Sequence, residues 1–554
     1  MKQRADRFRR LPRESFDVVV IGAGIGGLTA AALLAKRGKS VLVVDQHYVP
    51  GGNATIFKRP GYEFDIGIHY VGQCGPGEAM PSILHAAGAR GVEFAAMDPD
   101  GFDTLVFPEL SFRVPRGIDA YRDRLVEHFP SEVRGIERYV DMLRQVHKLQ
   151  GIAANPKAAL SILPKALGAL YWSRATLGAF FDTCTRDPLL RAVLAGESGD
   201  YGQPPSRASL LFHSALMLHY LESGGYYPKG GGQVMSDALA DSIEESGGKV
   251  LLSTRALRIV VEGGRARGVE IENKHIGRRT VHAATVISNA DIKRTLLELL
   301  PEEAVSRRTR RRATRWEMSP ALGIAYLGVK RSAIELSARR TNYWIYPHTD
   351  QELEYRTIAR GKLSDQPMTY ISSASLKDPD YPRYAPPGVV NLELMGLAPS
   401  NPEAWGVSAA AFDSGSYSDS SAYAEAKAAY AERLKRVASG VIPGLADAVV
   451  FEEVATPLTH TRYTLSTGGT SYGLALIPGQ FLHRRPGAKT EIEGLLLCGA
   501  STRMGHGIMG AMMSGVAAAA ALVGGRVYRD ALRGAPVAPT PPEAVFSRAA
   551  APPA

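Results

Sequence analysis

Three glycines at a dinucleotide-binding spacing are the first residues whose types indicate chemistry. Gly22, Gly24 and Gly27 follow the apolar run Val18–Ile21 with the pattern G-x-G-x-x-G. The run predicts a buried parallel strand. Gly22 permits a tight turn, Gly24 lets a pyrophosphate approach the backbone, and Gly27 lets helix and strand pack closely. The pattern predicts a phosphate site at a helix N-terminus, where free N–H groups favour an anion.

The residues after this motif complete a βαβ unit. Leu28–Lys36 has the Ala/Leu composition of a helix, and Gly38 follows it as a stop signal. Ser40–Val44 predicts a second strand, and Asp45 comes directly after it, where an acid meets a ribose hydroxyl. These features together predict dinucleotide binding.

A second polar and glycine-rich stretch follows this unit. Gly52 ends a glycine pair that lets the backbone fold back over the pyrophosphate, and Asn53 offers it a polar contact. Gly67 lets a flat group lie close to the backbone, and His69 and Tyr70 come directly after it. His69 is either a hydrogen-bonded structural histidine or a flavin or substrate contact that delivers a proton, since imidazole titrates near neutrality.

The C-terminal part of the chain repeats the strand–turn–helix pattern. Gly494–Cys498 predicts a buried strand, and Gly499 opens a glycine-rich turn into a helix of small residues. Such a helix N-terminus directs N–H groups at an anion, which in a flavoprotein is the reduced flavin. We therefore expect both ends of the chain to build one site.

Bulk properties limit the classes of function. The chain has 554 residues, 45% of them hydrophobic and 22% charged, with a net charge of +10. A basic balance suits nucleic acid or an anionic membrane, but without a basic aromatic module or zinc pattern we expect no nucleic-acid partner. The three separated cysteines predict neither a disulfide framework nor a metal site, which favours a reducing compartment. No apolar run is long enough to span a bilayer.

The order of motifs predicts an α/β fold with a discontinuous Rossmann-like nucleotide domain and an inserted α+β substrate domain. We place an N-terminal arm at 1–15 and a disordered Pro/Ala-rich tail at 534–554. The predicted domain ranges are 16–75, 226–300 and 485–530 for nucleotide binding, and 76–225 and 301–484 for substrate.

Three segments in the predicted substrate domain carry further expectations. Residues 158–181 have leucines at helical spacing, with interface aromatics and Pro164 as a break. They are either a helix pair packed in the core or an amphipathic segment resting on a bilayer. Arg307–Arg315, with six arginines, is a solvated helix face or a phosphate- or membrane-facing patch. Ser408–Ser421 is expected to be a mobile loop.

With these motifs in view, the sequence resembles the phytoene desaturase-like FAD oxidoreductases, and within them the retinol saturase and carotenoid cis–trans isomerase branch. The stretches that carry the resemblance are VIGAGIGGLTAAALLAKRGKSVLVVD, GGNATIFKRPGYEFDIGIHYVG, GGYYPKGGG, VISNAD, TPLTHTRYT and GLLLCGASTRMGHGIMGAMMSG. They are distributed from about residue 16 to 525, and FDIGIHYVG favours the saturase side.

The resemblance implies one FAD, with its flavin ring against the stretch from Gly67 to His69 and the turn from Met509 to Ala511. It implies these cofactor contacts: Gly22, Gly24, Gly27, Asp45, Gly52, Asn53, Gly67, Ile68, Ala256, Gly499, Met509, Gly510 and Ala511. NAD(P)H is a candidate electron donor only from outside the FAD site.

The resemblance also implies a hydrophobic isoprenoid polyene, a retinoid or carotenoid, as the substrate. Saturation of one conjugated double bond is the preferred reaction, with His69 and Tyr70 as candidate catalytic residues. Desaturation, redox-neutral isomerisation and a flavin-containing polyene carrier stay open as alternatives. We expect a cytoplasmic protein, peripheral on the inner face of a membrane, and leave its oligomeric state open.

Overall fold

A computed structural model describes Arg7 and residues 9–154, 159–334 and 340–535 of the protein. The predicted disordered tail lies outside the described residues except for Gly534 and Ala535. The start of the 158–181 segment and part of the predicted N-terminal arm also lie outside them.

A seven-stranded sheet, called the nucleotide sheet below, has the strand Ser15–Ile21 at its centre. This strand pairs in parallel with Val41–Val44 on one side and Gly277–Ser288 on the other, and Val19 lies between Leu42 and Val286. The sheet collects strands from three separate stretches of the chain. The remaining strands are Lys249–Leu251, Thr254–Glu262, Arg265–Asn273 and Leu495–Leu497.

Two glycine-rich helices pack together beside this sheet. The helix Ile25–Lys36 follows the first strand, and Gly507–Val523 follows the last. A Cβ atom on Gly515 would lie 2.3 Å from the carbonyl oxygen of Gly26, so only glycine allows this backbone approach. The first and last parts of the chain are thereby brought into direct contact.

A second seven-stranded sheet, called the substrate sheet, shares no strand with the nucleotide sheet. Alternation of side chains along Ala321–Lys330 sends Ile324 and Tyr326 into one hydrophobic cluster and Ala325 and Leu327 into another. The sheet order is Val449–Ala455, Ala321–Lys330, Val389–Ala398, Thr369–Ser372, Asn342–Ile345, Asp103–Val106 and Ser111–Val114.

Two small ribbons and a set of helices complete the fold. The ribbons pair Ile56–Arg59 with Tyr62–Asp65, and Phe94–Ala96 with Tyr226–Pro228. The longer helices are Ala79–Ala86, Ile118–His128, Val133–Ala154, Pro188–Leu194, Leu210–Ser223, Gln233–Glu245, Arg307–Arg315, Gln351–Ala359, Ser421–Ala438, Pro457–Thr464 and Arg526–Leu532. The shorter helices are Ala159–Ile162, Leu167–Tyr171, Leu177–Phe181, Ile292–Arg294, Ala374–Lys377, Ala409–Ser414 and Leu445–Ala448.

One sequence expectation about local structure was wrong. The stretch from Ser408 to Ser421 is not a loop but holds the helix Ala409–Ser414 and a 3₁₀ turn, Ser416–Asp419. Ser408 caps the first of these by accepting the N–H of Ala411. Tyr417 is buried in the cluster beneath the substrate sheet, which anchors the segment.

The 158–181 segment divides into two parts with different exposure. The segment forms short helices, with a 3₁₀ turn over Leu163–Ala166 around Pro164, the residue predicted to be a break. Leu177 and Phe181 are buried in the core, whereas Leu160, Leu167 and Tyr171 are 89%, 63% and 82% exposed. In the part of the chain that the structure describes, no helix has the length and apolar character needed to cross a membrane.

The Gly26–Gly515 approach gives a test of how the two helices are joined. We expect Gly515→Val to lower the free energy of unfolding by about 3 kcal/mol, because its side chain has no space beside the Gly26 carbonyl. Gly525→Ala is the matched control, since a Cβ there meets no atom. Thermal unfolding of both variants measures the difference, and equal melting temperatures would contradict the packing described.

Candidate functional site

A large cavity of about 1000 Å³ extends from the nucleotide sheet to the substrate sheet. Most of the residues predicted to contact a cofactor or to act in catalysis line it. They are Gly22, Gly24, Asp45, Gly52, Asn53, Gly67, His69, Tyr70, Ala256, Gly499, Met509, Gly510 and Ala511. The structure thus brings residues from both ends of the chain to one place.

Gly27 and Ile68 do not line this cavity. A Cβ on Gly27 would lie 2.3 Å from the carbonyl oxygen of Gly22, so this glycine acts in helix–strand packing. Ile68 is fully buried behind the cavity wall, where its side chain packs next to Gly232.

One end of the cavity is made of two glycine turns in contact. The N–H of Gly51 donates to the carbonyl of Ala23 at 2.7 Å, and Gly24 pairs with Gly51 as an isolated parallel bridge. Gly52 has a φ of +61°, and a Cβ on it would lie 3.2 Å from the Cα of Gly24. The backbone therefore folds back on itself as the second glycine pair indicated.

Asp45 is fixed beneath the first of these turns. Its carboxylate accepts the N–H groups of Ala23 and His47, both at 2.7 Å. Burial raises the pKa of Asp45, and these two N–H donors oppose that rise. Since a carboxylate has about four acceptor positions, both bonds leave capacity for a further donor.

Asn289 is a site residue that the sequence reasoning did not assign. It follows the strand Gly277–Ser288 and its Nδ2 donates to the Gly22 carbonyl at 3.3 Å. A Cβ on Gly24 would lie 2.7 Å from Asn289 Nδ2, and one on Gly499 would lie 2.9 Å from its Oδ1. Its position, a polar residue directly after a buried parallel strand, was the available signal.

Arg485 holds the C-terminal glycine turn, and it too was missed. Its guanidinium, fully buried, donates to the carbonyls of Thr502 at 2.8 Å, Ala500 at 2.7 Å and Leu474 at 3.0 Å. Burial lowers the pKa of Arg485 to about 10, which leaves it cationic at neutral pH. No sequence pattern marks this one arginine among many.

His69 lies at the boundary between the cavity and a cluster of buried charges. Its Nδ1 is 2.8 Å from Oε2 of Glu393, and its carbonyl accepts from Nζ of Lys377 at 2.6 Å. Burial, with Lys377 adding to it, lowers the pKa of His69 to about 3. The imidazole is therefore neutral at pH 7, and the sequence-based expectation that it titrates near neutrality was wrong.

Tyr70, the next residue, contacts a different set of side chains. Its hydroxyl donates to Oδ2 of Asp200 at 2.6 Å, and its ring stacks on Tyr220 with centroids 4.4 Å apart. Burial, together with Asp103 and Asp200, raises the pKa of Tyr70 well above its usual value. The phenol is neutral and its proton points to Asp200.

The three cysteines are free thiols, and within the described ranges no three His, Cys, Asp or Glu side chains form a cluster suited to a metal ion.

A family model described as flavin-containing amine oxidoreductase matches residues 25–523, which is most of the chain. The chain belongs to this flavin oxidoreductase family. The match begins in the first glycine turn and extends to the end of the helix Gly507–Val523, so it includes residues from both parts of the chain that line the cavity. The protein is accordingly a flavin-dependent oxidoreductase.

Three curated relatives show which branch of the family is similar. An all-trans-retinol 13,14-reductase of Danio rerio is 30% identical over 518 residues, covering 88% of this chain and 83% of the relative. A prolycopene isomerase 1, chloroplastic, of an Oncidium hybrid cultivar is 27% identical, with coverage of 91% and 83%. A phytoene desaturase (neurosporene-forming) of Rhodobacter capsulatus is 28% identical, with coverage of 90% and 92%. These relatives confirm the family resemblance drawn from the sequence motifs.

Among solved structures, an oxidoreductase from Methanosarcina mazei superposes with a TM-score of 0.59 at 17% identity. The alignment covers 90% of this chain and 98% of that one, so the fold is shared throughout.

Unsatisfied polar atoms in this flavin oxidoreductase fit a polar ring system in the cavity. Both ring nitrogens of His506 are buried without a hydrogen-bond partner among the residues that the structure describes, and His506 lines the cavity directly before the helix Gly507–Val523. Burial lowers the pKa of His506 to about 3, so the ring is neutral. A buried polar group without a partner is costly, and a flavin ring at this helix N-terminus would offer it one. The glycine turns, Asp45 and this helix N-terminus together fit an FAD.

Arg485 provides a test of the C-terminal half of this flavin site. We expect Arg485→Met to reduce the flavin content of the purified protein below one per chain, because the Ala500 and Thr502 carbonyls of the turn and the neighbouring Leu474 carbonyl lose this donor at about 1–3 kcal/mol each. Arg503→Met, an exposed position in the same turn, is the control. Absorbance of the two purified variants gives the measurement, and full flavin content in Arg485→Met would contradict this role.

Proposed function

We propose that this flavin oxidoreductase saturates one conjugated double bond of a retinoid or carotenoid polyene. The observation that carries the proposal is the continuation of the flavin cavity into an apolar slot beneath the substrate sheet. Aromatic, aliphatic and methionine side chains make up the slot: Phe212, Ala215, Leu216, Tyr220, Leu322, Ile324, Tyr326, Trp344, Met368, Tyr370 and Met395. Such a wall suits a long hydrocarbon and excludes water from it.

The chemistry divides between the cofactor and the chain. A bound reduced FAD supplies a hydride. His69 is the catalytic residue proposed to give the proton, because it lines the cavity and its Nε2 makes no hydrogen bond within the described chain. Tyr70 is the second candidate, but its hydroxyl proton is already donated to Asp200. Asp45 and the glycine turns are proposed to hold the ribose and pyrophosphate of the FAD.

Support for the saturating direction comes from FDIGIHYVG and from the 30% identity to the retinol 13,14-reductase. The isomerase and desaturase relatives support the two alternatives, isomerisation and desaturation, for the same slot. We propose that NAD(P)H, if it is the donor, reduces the flavin from outside.

Product mass distinguishes the reactions directly. We expect anaerobic incubation of the chemically reduced enzyme with a panel of retinoids and carotenoids to yield one product two hydrogens heavier than its substrate. Mass spectrometry with chromatography measures it, and oxidised enzyme with the same panel is the control. A product two hydrogens lighter would indicate desaturation, an isomer of equal mass would indicate isomerisation, and bound but unchanged polyene would indicate a carrier.

We further propose that the protein takes its substrate from a membrane surface through the exposed apolar segment around Leu160, Leu167, Leu170 and Tyr171. Lys165 and Arg174 are exposed beside it and suit anionic lipid. The segment packs on Gln145, which accepts the N–H of Ala169 at 3.0 Å. Gln150, about 7.5 Å further along the same helix, lines the cavity, so the segment lies near one of its ends.

Replacing two of these leucines tests the membrane proposal. We expect Leu160→Asp/Leu167→Asp to reduce pelleting with anionic liposomes at least tenfold, because two exposed apolar side chains that would enter the bilayer become charged. Leu353→Asp is the matched control, an exposed leucine on a different helix, Gln351–Ala359. Cosedimentation is the measurement, and unchanged pelleting of the double variant would exclude this segment as the docking surface.

A further inference from the structure

A group of buried ionisable side chains lies directly behind His69. The carboxyl group of Glu393 is 1% exposed, on the strand Val389–Ala398, while the side chain of His69 is 14% exposed and lines the cavity. His69 is thus the link between Glu393 and the proposed polyene slot.

The hydrogen bonds fix which atom of Glu393 can carry a proton. Its Oε1 accepts the N–H of Asp65 at 2.9 Å, so the proton of a neutral Glu393 lies on Oε2, 2.8 Å from His69 Nδ1. A neutral imidazole that accepts at Nδ1 carries its own hydrogen on Nε2. This arrangement leaves the Nε2–H group for a molecule in the cavity.

Burial keeps Glu393 protonated at neutral pH. Desolvation raises its pKa to about 8, and the Lys377 charge and the Asp65 N–H limit the rise. Asp65, whose pKa burial and Glu393 raise to about 7, accepts from Gly232 N–H at 2.8 Å and from the Tyr227 hydroxyl. Ionisable groups face Glu393 from every packed element: Asp65, His69, Tyr227, Tyr326, Tyr370 and Lys377.

We propose that Glu393 is the proton reservoir of the reaction and acts through His69, so that the pair delivers a proton without forming an imidazolium. This inference rests on the proposed function and deepens it. In the step, the His69 Nε2–H bond breaks as a C–H bond forms on the polyene, and the Glu393 proton moves from Oε2 to Nδ1.

The step balances in charge and atoms. His69 begins and ends neutral, Glu393 is left as a carboxylate, and the second C–H bond uses the hydride that the cofactor supplies. When the product leaves, Nε2 takes a proton from water and Nδ1 returns its proton to Glu393. The low pKa of His69 is then no obstacle, since the ring exchanges tautomers instead of titrating.

The relay predicts a specific pH dependence. Glu393 holds its proton below its pKa and loses it above, so transfer to the polyene should slow as pH rises through about 8. Lys377, whose pKa burial lowers to about 8, titrates in the same range. A variant of Glu393 that leaves Lys377 in place is therefore needed to separate the two groups.

Glu393→Gln is that variant. Its amide can donate to His69 Nδ1 and accept from the Asp65 N–H, so the bonding pattern survives without a proton to give. We expect single-turnover reduction of the polyene by the reduced holoenzyme to slow on the order of 10²-fold and to lose the fall above pH 8, with flavin content unchanged. Glu354→Gln is the matched control, because Glu354 is also buried, with its pKa raised to about 8 by burial, and bonds to Met368 N–H instead.

Infrared difference spectroscopy gives a readout that does not depend on turnover. We expect a protonated-carboxyl band that disappears in the wild type as pH rises through about 8, that is missing in Glu393→Gln, and that persists in Asp65→Asn. His69→Phe should keep both the band and the flavin spectrum while suppressing product formation.

Wild-type turnover together with an unchanged rate and pH profile in Glu393→Gln would overturn the relay alone. A band insensitive to Glu393→Gln would overturn it as well. Absence of product from every polyene with the wild-type enzyme would instead reject the proposed function, and the relay with it.

Discussion

The structure depends on a close backbone packing around Asn289. This residue follows the strand Gly277–Ser288 and lies between the two glycine turns, which start at Gly22 and Gly499. A side chain on Gly24 or Gly499 would collide with it. Because both turns must approach Asn289 this closely, the first and last strands of the nucleotide sheet are fixed relative to each other, and so are the N-termini of the two helices that follow them.

The rest of the site is built on that junction. Gly26 and Gly515 bring the two helices into backbone contact, and Arg485 satisfies the carbonyls of the second turn. The substrate sheet then contributes the opposite wall of the cavity through alternate residues such as Ile324 and Tyr326. The glycine turns and the apolar slot therefore belong to one continuous space, and a cofactor held at one end would face a hydrocarbon at the other.

The sequence was most informative where local geometry restricts residue type. The G-x-G-x-x-G motif predicted the turn at Gly22 because only glycine tolerates its backbone conformation and its close neighbours. The same reasoning correctly placed the turn at Gly499 and the helix Gly507–Val523 that follows it. The first helix was predicted to begin at Leu28 and begins at Ile25 in the structure, with the same end at Lys36.

The sequence was least informative where side chains meet through tertiary contacts. Glu393 and Lys377 come from a strand and a short helix far from His69 in sequence, so no spacing connects them. An acid within the apolar strand VVNLELMGLA was the one visible signal for Glu393. The sequence suggested that the pKa of His69 is near neutrality, because sequence neighbours do not show that the fold buries this side chain next to Lys377. The sequence likewise did not show which residues of the segment 158–181 pack in the core and which are exposed, because tertiary contacts decide this.

The central claim is that the two ends of this chain form one flavin site, and cofactor stoichiometry tests it most directly. The purified full-length protein, denatured to release its cofactor, should yield one FAD per chain by absorbance and mass spectrometry. The intact protein should show a flavin absorption spectrum. A folded protein that is colourless and takes up no added FAD would contradict the account.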